Sequence, residues 1–253
     1  LRRLFGPALL LALAALSRLL RGADPRRLEL ASELARPSLA HPFGCGEGGV
    51  DLLAVASEAL LRGMGLAATV AALSLVLGTT LGAWAGLRGG VLAAAVQRVC
   101  DFVQAFPSFV LALGVLSAIP RPTRWHVGAV LLLTAWAPFA RLALAELRVI
   151  RGLQYVEAAR ALGARPLRVL VLHAIPATLP VARAQLGSSA AALLVADASL
   201  SFLGLGPNDG VALGALIDQG LGASLRAPHV LLVGTAALCA GALVLQAVAD
   251  PER

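Results

Sequence analysis

The sequence predicts an all-α polytopic membrane protein with about six transmembrane helices. Three observations carry this. Hydrophobic residues make up 58% of the 253 residues and charged residues only 14%, where soluble domains carry roughly 25% charged residues. Mean hydropathy is +0.83. Charge-free windows approaching the length of a spanning helix, about 20 residues, recur along the chain.

Each window is justified by its own residues. Residues 4–17 are short and reach a span if Arg18 snorkels to the interface. They follow Arg2 and Arg3 as a signal peptide would, but no small-residue cleavage site precedes the next charges, so they read as a retained helix. Residues 63–87 carry no charge and predict a clean span. Residues 102–120 predict another, with Pro107 marking its start. Residues 125–140 extend past Arg141 along an apolar run. Residues 178–205 are long enough but contain Arg183 and Asp197, and residues 227–249 are again clean. Gly78, Gly82 and Gly86 recur every four residues, which suits close helix packing.

Charge sets the expected orientation. All 21 basic residues are Arg and the net charge is +7. In a membrane chain this excess is explained by cytoplasmic loops rich in basic residues, so no nucleic-acid partner is expected. Six Arg lie from Arg141 to Arg168, which puts that loop, and with it the N-terminus, on the cytoplasmic side.

Metal and catalytic chemistry find no pattern. Cys45, Cys100 and Cys239 are widely spaced and make no CxxC pair. His41, His126, His173 and His229 show no metal-ligand spacing. The chain has no phosphate-binding G-x-x-x-x-G-K-[ST], no G-x-S-x-G and no H-E-x-x-H. Any ATP-derived energy must come from another chain.

The polar stretch from Tyr155 to Pro180 stands out in this apolar setting. Residues 155–164 predict a short helix. Glu157 near its start complements the helix dipole. Gly163 suits a left-handed C-cap, and Pro166 blocks continuation. Ala158, Ala159 and Leu162 share a face, with Tyr155 adding contact area. Such a helix is either a solvated surface turn or a docking handle.

The longer string weighs for docking. Glu157-Ala158-Ala159, three residues, Gly163, and then His173-Ala174-Ile175-Pro176 resemble the EAA loop of ABC-transporter permeases. His41-Pro42-Phe43-Gly44 resembles the HPLG that follows the first helix in the peptide/nickel permease group. Asp101 to Ser108 is similar to that group's D-x-x-x-A-F-P-S, and Ala198 to Gly206 matches its ASLSFLGLG. The resemblance covers most of the chain and is to the second, C-type permease of dipeptide or oligopeptide importers.

The resemblance implies a MetI-like importer fold in the bacterial cytoplasmic (inner) membrane. The N-terminal helix and extracytoplasmic segment would span 1–62, and the permease core 63–253. Implied partners are a homologous second permease, two ABC ATPase subunits, an extracytoplasmic binding protein and membrane lipid. ATP and Mg would sit on the ATPases, and this chain would bind no cofactor. Tyr155, Glu157, Ala158, Ala159, Leu162 and Gly163 would form the coupling helix that meets the ATPase. Residues 21–62 and 207–228 would meet the binding protein. A nickel chelate is the alternative cargo, and an intramembrane enzyme or self-powered carrier using Asp197 and Arg183 is the alternative class.

Departures fall mainly on the outer side. The family's T-D-x-x-G-R-D is Cys45 to Asp51 here, keeping only a Gly and the last Asp, and Asp197 replaces the usual Glu. Asp197, with Ser199 and Phe202 nearby, is expected to serve a gate or helix packing, or to mark a helix end at the outer interface. Arg183 is expected to snorkel to the cytoplasmic face. His173 is expected to pack structurally.

Overall fold

The computed structural model describes residues 28–150, 153–154, 175–207 and 211–249. Seven α-helices lie within them: α1 Leu52–Arg88, α2 Gly90–Ala105, α3 Ser108–Ser117, α4 Arg124–Ile150, α5 Ile175–Phe202, α6 Leu213–Gly222 and α7 Pro228–Ala249. Among the described residues no strand forms beyond one isolated bridge, Cys45 with Asp51. Three helices, α1, α4 and α7, are long and apolar enough to cross a membrane, and a fourth span results if α2 and α3 count as one. Helix α5 has the length, but Arg183, Gln185, Ser188, Ser189 and Asp197 dilute its apolar character. The expected window at 4–17 lies outside the described residues. The described spans therefore number fewer than the six expected.

Helix α1 begins at Leu52, not at residue 63. Asp51 caps it, accepting from Leu53 N at 2.8 Å and Ala54 N at 3.3 Å. Glu58 and Arg62 do not stop the helix because they pair with each other one turn apart. Its 37 residues make a rod of roughly 55 Å, against about 30 Å of hydrocarbon, so its ends stand outside the apolar layer. At the far end Arg88 lies over the Trp84 ring at 4.6 Å, and Gly89 closes the helix with φ 68°.

The glycine stripe does what its spacing suggests. A β-carbon at Gly78 would stand 2.6 Å from Phe139 Cβ, and one at Gly86 2.6 Å from Leu147 Cβ. At Gly82 it would overlap the Ala140 carbonyl. Helices α1 and α4 therefore touch along their backbones, with Ala137, Ala140 and Ala143 fully buried on the α4 side. In lipid, where no hydrophobic effect drives helices together, such packing is a main source of association.

The expected single span at 102–120 is corrected. Helices α2 and α3 meet at a 72° bend. Pro107 has no N–H, and it forces Phe106 to extended backbone, φ −85° and ψ 133°. Residues 102–105 thus close α2, and α3 sets off in a new direction. Arg141 to Asp101 at 3.6 Å, and Arg148 donating to Gln97, tie α2 to α4 beside the bend.

Helix α5 ends in a Schellman motif. Leu205 N donates to Leu200 O at 2.9 Å, and Gly204 N donates to Ser201 O at 3.1 Å, with Gly204 at φ 76°. The 198–206 run then seats α6: a β-carbon at Gly214 would overlap Ala198 O and Phe202 N. Gly220 meets Leu231 of α7 in the same way, at 2.5 Å. Residues 28–51 fold as a strap over the N-terminal end of α1. Gly49, φ 74°, has no room for a side chain against the Glu29 carbonyl, and Asp51 also accepts from or pairs with His41 Nδ1 at 2.9 Å. The glycine and acid of the 45–51 stretch that match the family's motif thus both have backbone roles here.

Candidate functional site

Among the described residues, cavities with polar walls open between the helices at two places. The first, about 400 Å³ and toward the side expected to be outer, is lined by α1, by the first turn of α4, by α5 and by the segment after α5. Its polar walls are Arg62, Thr69, Arg124 and Asp197, with Gly63 and Trp125 beside them. The second, about 520 Å³, lies at the α2–α3 bend against α4 and α5. Gln104, Ser108, Thr134, Gln185, Ser188 and Ser189 line it, so its polar groups are neutral. Gln185 donates to Ser189 at 3.3 Å.

Asp197 sits inside α5, not at its end, and is 9% exposed. Its Oδ1 is buried and accepts no hydrogen bond among the described residues. Gly63 leaves the carboxylate its space: a β-carbon there would stand 3.5 Å from Asp197 Oδ2 and 2.9 Å from Leu194 Cδ1. Ser199 donates to Val195 O at 2.8 Å within its own helix. Phe202 takes part through its backbone, where Gly214 crosses. Of these three residues only Asp197 faces a cavity. Arg183 is exposed and lines neither cavity.

Tyr155, Glu157, Ala158, Ala159, Leu162, Gly163 and His173 lie outside the described residues. Connectivity still constrains them. Residues 151–174 join α4 to α5, and both helices wall both cavities.

Sequence reading missed the neutral cavity and the outer arginines. Gln185, Ser188 and Ser189 follow i, i+3, i+4 spacing, which marks one helix face and was a usable signal. Arg62 and Arg124 read as loop charges, but they belong to α1 and to the first residue of α4. Among the described residues no three His, Cys, Asp or Glu side chains cluster to hold a metal.

Residues 78–250 match the family described as binding-protein-dependent transport system inner membrane component. A Brucella suis protein named as a peptide transport system permease is 31% identical over 236 residues, covering 90% of this chain and 77% of its own length. The glutathione transport system permease protein of Pectobacterium atrosepticum is 30% identical over 222 residues, covering 86% and 72%. The oligopeptide transport system permease protein of Mycobacterium bovis is 29% identical over 209 residues, covering 81% and 71%. With its all-α spans and its EAA string, this chain belongs to the binding-protein-dependent inner membrane component family, as a multi-pass permease of the peptide ABC-transporter group with a MetI-like fold.

Proposed function

We propose that the chain is the membrane-spanning subunit of an ATP-driven importer of dipeptides or oligopeptides. The observation that carries this is the path of the chain: the EAA string sits in the segment that joins α4 to α5, and those helices wall both cavities. A push on Tyr155, Glu157, Ala158, Ala159, Leu162 and Gly163 would pass directly into the cavity walls. The push would come from two ATPase subunits, which would carry the ATP and Mg. This chain would bind no cofactor and would catalyse no reaction itself.

A homologous second permease would complete the passage through the lipid. A binding protein would deliver cargo to the outer strap and to the segment around α6. Residues 1–62 would then serve as the N-terminal helix and outer region, and 63–253 as the transporting core, although α1 runs through position 62 unbroken. Cargo of the peptide type fits relatives that carry peptide and glutathione transport in their names. The neutral cavity offers amide and hydroxyl groups, which can meet peptide bonds without selecting side-chain charge.

The test is reconstitution of the full complex in proteoliposomes with its binding protein. Deleting residues 157–163 should abolish ATP-driven peptide uptake while the complex still assembles. Uptake that survives the deletion would refute the coupling role.

A further inference from the structure

The outer cavity is lined by a buried carboxylate, Asp197. Asp197 is 9% exposed, lines the cavity, and its Oδ1 accepts nothing among the described residues. Burying an ionised carboxylate without donors is costly, and in a membrane span such a group marks a functional site. The space around it is kept open. Gly63 stands beside it where a side chain would crowd Leu194, and at Gly65 on the same wall a β-carbon would meet nothing within 4 Å. The cavity volume falls within the range of small-molecule sites.

Charge narrows the ligand. Among the described residues the cavity lining carries both signs, Asp197 with Arg62 and Arg124. Among the described residues a single carboxylate, Asp197, lines the cavity with two arginines, where a divalent metal takes several oxygens. A solute that carries both signs meets a cavity that does the same. We infer that Asp197 is the subsite for the cationic nitrogen of a zwitterionic solute. On the peptide-import reading, on which this inference rests, that nitrogen is the amino terminus. An ammonium group is a compact charge with three donors, which suits a carboxylate in a cavity wall. The subsite lies near the outer end of α1, so it would meet the amino terminus before the peptide reaches the neutral cavity at the α2–α3 bend.

The test is protection of Asp197 from a hydrophobic carbodiimide in the assembled complex in nanodiscs, read by mass spectrometry of the peptide containing Asp197. The probes are trialanine and N-acetyl-trialanine. Trialanine should slow labelling about tenfold at a concentration near nine times its dissociation constant. N-acetyl-trialanine should leave the rate within about twofold, since it lacks the charge. Equal protection by both, protection by neither, or no labelling of Asp197 at all would each overturn the subsite. ATP-driven uptake by the same complex is measured in parallel. Uptake with an unprotected Asp197 overturns only the subsite, and absence of uptake in the unmodified complex overturns the import reading.

Discussion

Gly82 of α1 lies against the backbone of Ala140 so closely that a β-carbon at 82 would stand 2.9 Å from Ala140 Cα and overlap the neighbouring carbonyl. Backbone cannot move aside as a flexible side chain can. Gly82→Ala should therefore part α1 from α4 at a cost of about 1–3 kcal/mol or more. A lower melting temperature of the purified complex is the expected outcome. Gly114→Ala is the control: it meets nothing within 4 Å and gains up to about 1 kcal/mol of helix propensity. Equal melting of both variants would disprove backbone contact at Gly82.

Asp51 has two tasks, capping α1 and holding His41. Asp51→Ala should cost about 1 kcal/mol, the usual worth of an N-cap. Residues 28–51 should become easier to cut by protease as the strap loosens. Asp51→Asn keeps a capping oxygen, so it should melt close to the parent protein. If Asn behaves as Ala does, the contact with His41 matters more than the cap.

Glu58 is buried while Arg62 keeps 29% side-chain exposure. Removing only the acid takes away a buried carboxylate that pairs with Arg62 beside the cavity. Glu58→Leu should therefore destabilise by about 3 kcal/mol, and Glu58→Leu with Arg62→Leu should recover much of the loss. Thermal melts of the single and double variants decide this. A double variant no better than the single would show that the pair contributes net stability.

Cys45 tests the packing of the outer strap. It is 0% exposed. Burial pushes its thiol pKa up, and the nearby charges of Asp51 and Glu29 add to the shift. A raised pKa means less thiolate at a given pH, and thiolate is the reacting form. At pH 8 a water-soluble maleimide should label Cys45 at least about tenfold more slowly than it labels the denatured chain. Gly44→Ala should abolish that protection. Gly44 has φ 79°, and a β-carbon there would stand 2.6 Å from Ala35 O. Parent protein that labels at the denatured rate would contradict a closed strap.

The class of this protein and most of its described helices were legible in the sequence alone. Apolarity over twenty residues is a local property, so the windows at 63–87, 125–140 and 227–249 foretold α1, α4 and α7. The glycine spacing at 78, 82 and 86 foretold a close-packed face, because a helix puts every fourth residue on one side. The EAA and ASLSFLGLG strings carried the family resemblance. Even the reach of α1 to Asp51 was legible in principle, through Glu58 and Arg62 one turn apart. The rest was set by how the helices pack against one another. Pro107 announced a break, but a 72° turn depends on what α3 packs against. Arg62, Arg124 and Asp197 are far apart in the chain, and nothing local says that three helices bring them to one cavity. A charge at a helix end and a charge in a cavity can look alike in sequence. What separates them is which other helices exclude water around them, and that is a property of the packed fold.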